Sequence, residues 1–190
     1  MYENEIQSDS QNDSLKDEKF WFALYTKPKS EFKAEEQLEA IGVEHYLPVI
    51  VKERQWSDRK KKITEPVIRG YIFIFADEKE RLLALEQYSI VRCVFDRGRA
   101  AKIPAWQIEN LKKMLSTKSE IYLHDGLMPG KKVMIKNGAF EGIVGVVREY
   151  EDGKKTIAVS IDLLNRSIIT HIPKDSNFQV VPGDGNAFTD

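Results

Sequence analysis

The feature that most constrains this chain is a change of period part-way along it. Up to Leu115, short apolar runs alternate with segments at helical spacing. From Pro129 onward no helical period occurs, and short apolar runs alternate with turn signals. A helical stripe repeats every ~3.6 residues and a half-buried strand every two, so one element cannot satisfy both patterns. Two differently built parts are therefore expected.

In the first part, residues 20–27 (FWFALYTK) read as a buried strand closed by Pro28. Residues 30–41 read as a helix with Ala34, Leu38 and Ile41 on one face and Gly42 as its stop. Residues 43–51 read as a strand, 52–62 (KERQWSDRKKK) as a polar turn or hairpin tip, and 67–75 (VIRGYIFIF) as the most strand-like stretch of the chain. Asp77 and Glu80 match a capping box opening a helix with Leu82, Leu85 and Tyr88 inward. Residues 90–95 read as a strand, and Pro104 precedes a helix marked by Ile108, Leu111 and Leu115. Strand–helix–strand–strand–helix–strand is the split βαβ order, an antiparallel sheet with helices on one face.

In the second part, strands are expected at 132–136, 142–149, 156–162, 167–173 and 178–181, with turns such as Asn137-Gly138 and Asp152-Gly153 between them. Five short strands in so few residues predict a small SH3-like β-barrel. The expected fold class is α+β: a disordered acidic tail at 1–19, the split βαβ domain at 20–117, a linker at 118–128, the barrel at 129–182 and a tail at 183–190.

Composition excludes several classes. The 190 residues are 42% hydrophobic and 31% charged, as in soluble globular proteins, and no apolar run is long enough for a membrane helix. No signal-peptide pattern opens the chain, and Cys93, the single cysteine, reads as a buried hydrophobe, so a cytoplasmic location is expected. Residues 1–19 hold six acids and two lysines, so with the chain at −1 the remainder is +3. There is no phosphate loop, no GxGxxG after a strand, no HExxH and no cysteine pair, and His45, His124 and His171 lie far apart. No enzyme, cofactor or metal is expected.

Three groups of residues are candidates for contact. Lys52, Arg54, Arg59, Lys60, Lys61 and Lys62 with Trp56 combine phosphate-neutralising charge with a stacking ring, which suits nucleic acid as well as a solvated hairpin tip. Arg92, Arg97, Arg99 and Lys102 add positive charge near the last strand of the same part. Alternation places Trp21, Ala23 and Tyr25 on one strand face, and Tyr71, Phe73 and Phe75 on another, opposite Phe22, Leu24, Ile72 and Ile74. If the helices cover the aliphatic side, the rings form a partner surface or are covered by other segments. Third, VMIKNGAFEGIVGVV (133–147) projects Phe140 near glycines, as a loop contact or as a core residue.

This last segment resembles the KOW motif of NusG-type transcription elongation factors. WFALYTKPKSE, YLP and GYIFIF resemble the N-terminal domain of that family, over residues 20–182 in the right order. LYTKPKSEFKAEEQLEAIGVEHYLP followed by RQWSDRKKK is similar to the UpxY branch of specialised paralogs, relatives of RfaH. The resemblance implies a transcription regulator that docks on the clamp helices of the largest subunit of bacterial RNA polymerase and suppresses pausing and termination. Its targets in that branch are usually polysaccharide clusters. The docking pocket carries over onto Tyr25, Ile68, Tyr71 and Phe73. Ile68-Arg69 replaces the Phe-Pro of many relatives, so Arg69 adds a charge contact. The polar His/Thr contact of RfaH-type factors has no counterpart in KERLLALE (79–86). The basic tip would face non-template DNA or leader RNA. The loop positions Phe140, Ile143, Leu163, Leu164 and Arg166 would meet a ribosomal small-subunit protein. A general NusG factor, or a KOW module that binds RNA or the ribosome without polymerase, are the alternatives; a monomer away from membranes is expected.

Overall fold

The computed structural model describes residues 18–55, 59–117, 119–150 and 152–182. In chain order, the first elements are β1 (Phe20–Thr26), α1 (Glu31–Ala40), β2 (His45–Tyr46), β3 (Val49–Gln55), β4 (Lys60–Pro66) and β5 (Tyr71–Ala76). Then follow α2 (Glu78–Leu85), β6 (Ile90–Cys93), β7 (Phe95–Asp96), β8 (Arg99–Ala100), β9 (Lys102–Ile103) and α3 (Ala105–Ser116). The chain continues with β10 (Ile121–Asp125), β11 (Lys132–Ile135), β12 (Val144–Glu149), β13 (Lys155–Ile161), β14 (Arg166–Ile172) and β15 (Phe178–Val180). Two compact units result: Met1–Leu47 with Ile68–Ile103, and Pro48–Val67 with Pro104–Asp190.

The first unit is built on a sheet of order β2-β5-β1-β6, with β9 also pairing β1, and every pairing is antiparallel. Helices α1 and α2 occupy the two crossovers, which is the split βαβ arrangement expected. The sheet face opposite Tyr25 and Tyr71, with Phe22, Leu24, Ile72 and Ile74, is buried, as are Ala34 and Leu38 of α1 and Ala84 of α2. Glu31 at the start of α1 accepts a hydrogen bond from Gly70 N–H at 2.8 Å, and Thr26 N–H donates to Gly70 O at 2.9 Å. This fixes the entry to β5, where Gly70 adopts φ 80°, a backbone state open to glycine.

Three expected elements differ. Residues 43–51 divide into β2 and β3 around Pro48, which cannot donate to a ladder. Residues 67–70 precede β5 as a turn, because Gly70 leaves the extended region. In α2 the capping box forms, with Glu80 N–H donating to Asp77 Oδ1 at 2.8 Å and Asp77 N–H to Glu80 Oε2 at 3.1 Å. That cap sets a phase in which Arg81 and Ala84 point inward, while Leu82 is half exposed and Tyr88 70% exposed. The Arg81 guanidinium is buried because Glu78 accepts from both its Nε and its terminal nitrogen. Similarly, Ile41 caps α1 from the surface instead of extending its buried face.

In the second unit, β3 and β4 form a two-stranded hairpin, Val49 opposite Pro66 through Gln55 opposite Lys60. A separate six-stranded antiparallel sheet runs β10-β14-β13-β12-β11-β15. The five expected strands are present, and β10 joins them at an edge, from residues expected to be an irregular linker. Its apolar run is only Ile121–Leu123, with no polar–apolar alternation, and at the sheet edge Tyr122 and Leu123 stay exposed. Helix α3, expected to complete the first domain, clusters with this sheet instead. The tails fall largely on residues 1–17 and 183–190, outside the described residues.

Candidate functional site

Strand register assembles the aromatic face of the first unit from four strands. Trp21 stands opposite Phe75, Ala23 opposite Phe73 and Tyr25 opposite Tyr71. Tyr46 of β2 stands opposite Phe73, and Arg92 of β6 opposite Tyr25. Opposed residues of an antiparallel pair share a face, so these side chains form one ladder. The Tyr25 and Tyr71 rings lie 4.4 Å apart, Trp21 and Phe75 5.4 Å, and Tyr46 stacks on Phe73 at 6.5 Å. The Arg92 guanidinium sits 5.4 Å from the Tyr25 ring centre, within cation–π range.

The ladder is not uniformly open. Tyr25, Tyr71, Phe75 and Tyr46 are half-buried and Arg69 is exposed. Phe73 and Ile68, expected in a docking pocket, are fully buried. Phe73 holds the central rung, flanked by Ala23 on one strand and the stacked Tyr46 on the other, so it fills space and offers no open ring. Ile68 is drawn inside by the same anchored turn at Gly70. At the end beside the Gly70 turn the half-buried rings are Tyr25 and Tyr71, with Arg92 against Tyr25; Phe75 at the other end and Tyr46 on β2 are half-buried as well.

The basic hairpin is an arm of two seven-residue strands. Lys52, Arg59, Lys60, Lys61 and Lys62 are exposed, Arg54 stands opposite Lys61 in register, and Trp56 lies outside the described residues. Alternation divides its cations: Lys52 and Lys61 share one face, Lys60 and Lys62 the other. Lys52 is 3.9 Å from Glu65, and Glu53 stands opposite Lys62, so acids thin the charge along both faces. Exposed pairs of this kind contribute at most about 1 kcal/mol.

The loop positions of the second unit separate into two kinds. Phe140, Ile143 and Leu164 are buried in the core, which for Phe140 is the second of the two readings left open by the sequence. Phe140 closes a 3-10 turn (Gly138–Phe140) and Leu164 another (Asp162–Leu164), and both turns fold their apolar ends inward. Leu163 and Arg166 remain part-exposed, and Arg166 Nε pairs with Asp125 at 3.2 Å.

One arrangement escaped the apolar reading of α3. Its buried face includes Gln107 and Asn110 beside Ile108, Leu111 and Met114. Asn110 Nδ2 donates to Val144 O at 3.0 Å, and Val144 N–H donates to Asn110 Oδ1 at 3.2 Å. Gln107 Nε2 likewise donates to Asp162 Oδ2 at 3.1 Å, and Asp162 N–H donates to Gln107 Oε1 at 3.3 Å. Each amide uses a donor and an acceptor at once: Asn110 satisfies both peptide groups of buried Val144, and Gln107 holds the exposed Asp162 at the turn after β13. The signal was the i, i+3 spacing of two primary amides next to the apolar stripe.

Among the described residues, no group of three or more His, Cys, Asp and Glu could hold a metal, and no helix is long and apolar enough to cross a membrane. Burial pushes the Cys93 thiol up, although Arg81 nearby favours its thiolate. A buried neutral thiol is a packing group.

Comparison with known proteins bears on the first unit above all. The family model for the transcription termination factor NusG matches residues 19–112. A solved structure on domain interaction in Thermotoga maritima NusG is 20% identical, covering 80% of this chain and 93% of that one, with a TM-score of 0.46. Conformation B of an MjSpt4:Spt5 complex is 16% identical over 86% of this chain and 99% of that one, with a TM-score of 0.29. Conformation A is 14% identical over 84% and 98%, with a TM-score of 0.28. The ladder strands β1, β2, β5, β6 and β9 all fall inside the matched segment, and across residues 19–112 this chain carries a NusG-family domain.

Proposed function

We propose that this protein is a specialised transcription elongation and antitermination factor of the UpxY/RfaH kind, a binding protein and not an enzyme. It docks on the clamp helices of the largest subunit of bacterial RNA polymerase through Tyr25, Tyr71 and Arg69, with Ile68 and Phe73 supporting them from beneath. The observation that carries this reading is the NusG-family match over the segment that builds the aromatic ladder. The half-buried Tyr25–Tyr71 pair at its end beside the Gly70 turn supports it further, since large amphipathic rings beside an arginine are the side chains that anchor protein interfaces. The basic hairpin, Lys52 to Lys62, contacts non-template DNA or leader RNA. The strands from β11 to β15 serve as the KOW barrel, with Leu163 and Arg166 facing a ribosomal small-subunit protein. Polysaccharide operons are the targets that the sequence resemblance implies.

The mechanism asks only for unequal binding. A factor that prefers the closed, pause-resistant state of the polymerase by about 3 kcal/mol shifts that equilibrium about a hundredfold, with no covalent step. The test is binding of the full chain to bacterial RNA polymerase core, beside Tyr25→Ala/Tyr71→Ala. Submicromolar binding by the wild type, weakened at least about tenfold in a variant with unchanged circular dichroism, is the expected result. Equal binding by both removes the docking surface. Salt-sensitive RNA binding without polymerase binding would favour the RNA or ribosome module instead.

A further inference from the structure

The short hairpin β7–β8 has no part in the ladder, the basic arm or the crossovers, yet it is firmly rooted. Val94 N–H donates to Ala23 O at 2.9 Å and Ala101 N–H to Val94 O at 3.0 Å, while Cys93, Ala101 and Ile103 at its base are buried. Phe95 pairs with Ala100 and Asp96 with Arg99 across it, and Arg97 and Gly98 form its tip at φ 48° and 79°. Two successive positive-φ residues make the tight turn whose twist suits a hairpin, usually Asn-Gly. Here arginine occupies the position that asparagine fills more easily.

The tip therefore presents two guanidinium groups and a ring on a rigid base. Phe95 is 55% exposed, so its ring is open to solvent beside the two arginines. Arg97 and Arg99 are exposed, and among the described residues neither forms an ion pair, although Asp96 stands opposite Arg99. Within residues 87–108 the charges are Arg92, Arg97, Arg99 and Lys102 against Asp96 alone. Lys102 packs 3.1 Å over the Phe20 ring and Arg92 lies against Tyr25, which leaves the two tip arginines for an outside anion.

We propose that Phe95, Arg97 and Arg99 form a second nucleic-acid contact, which grips a single strand by two phosphates and one stacked base. Guanidinium groups take phosphate oxygens in a bidentate fork, and an exposed ring accepts any base on its face. A folded protein surface of acidic character would engage the arginines without needing the ring. The site lies in a different unit from the basic arm and does not depend on polymerase docking.

The test uses the full chain, with a fluorescein-labelled mixed-sequence single-stranded DNA and its RNA counterpart, read by anisotropy across a potassium chloride series. Arg97→Asn keeps a residue at ease with positive φ, so Arg97→Asn/Arg99→Gln removes charge without disturbing the turn. The log–log salt slope should become shallower by about 1.4, the effect of two phosphate contacts on a single strand. Phe95→Ala should weaken binding about 5- to 150-fold at unchanged slope. Lys60→Ala/Lys61→Ala/Lys62→Ala reports on the arm alone, so failure of one site is distinguished from failure of the other. Wild-type slope and affinity in both tip variants would overturn the proposal, as would absence of oligonucleotide binding by the wild type. A loss in the arginine variant with none in Phe95→Ala would overturn the stacked-base part of the proposal and leave phosphate contact alone.

Discussion

Both units rest on antiparallel sheets, and the two are finished in different side chains. In the first, one face is closed by Leu24, Ile72 and Ile74, while the other carries Trp21, Tyr25, Tyr46, Tyr71, Phe73 and Phe75. In the second, the core is Ile135, Ile143, Ile157, Val159, Ile161 and Ile168, and Phe140 is its one buried ring among the described residues. Aliphatic side chains suffice to build and close a sheet. Rings kept half open at the end of a ladder therefore point to contact with something else. The second sheet leaves single rings exposed on its edge strands, Tyr122 and Phe178, and turns its polar chemistry inward: Asn110 and Gln107 hold backbone groups, and Gly145 permits a close backbone approach.

This contrast can be broken in order of expected effect. Phe73→Ala removes a fully buried ring from the centre of the ladder and should cost about 3–5 kcal/mol. Hydrogen exchange should accelerate first in β1, β5 and β6, and equal acceleration in β12 to β14 would contradict two separately cored sheets. Gly145→Ala places a Cβ 2.4 Å from Ala158 O and 2.8 Å from Ile157 Cγ1. Because a backbone atom must yield, the cost should be about 3 kcal/mol, with exchange rising in β12 and β13. Asn110→Ala strips both partners from the Val144 peptide groups and should lower denaturation stability by about 1–3 kcal/mol. Unchanged stability would mean that the amide pairing contributes nothing net.

Two smaller effects sharpen the account. Cys93 should resist a thiol reagent at neutral pH until the chain is unfolded, because burial holds it as a neutral thiol. Rapid labelling of the native protein would refute that. Leu82→Ser should change stability by less than about 0.5 kcal/mol, since the side chain is half exposed, whereas an inward leucine would cost several times more.

The sequence was legible where local chemistry and global packing agree. The Asp77–Glu80 cap and the split βαβ order are local patterns, and strand alternation put Tyr25, Tyr71 and Phe73 on common faces. It was misleading where burial is decided by distant partners. Arg81 occupies an inward position because Glu78 satisfies it, so the apolar reading of Leu82 and Tyr88 was misphased. Strand β10 was missed because its apolar run, Ile121–Leu123, is short, does not alternate and is left largely exposed at a sheet edge, and the hairpin of Lys52 to Lys62 divides its charge between faces in a way that composition does not show. Of the candidate site, alternation gave the face but not the depth: only tertiary closure separates half-buried Tyr25 and Tyr71 from buried Phe73 and Ile68.

The most direct test of the central claim is pause lifetime in transcription by purified bacterial RNA polymerase, with the full chain and with Tyr25→Ala/Tyr71→Ala. The account predicts shorter pauses and more read-through with the wild type, and loss of both effects in a variant that keeps its circular dichroism. Unchanged pausing with the wild type, or equal activity in the variant, would contradict it.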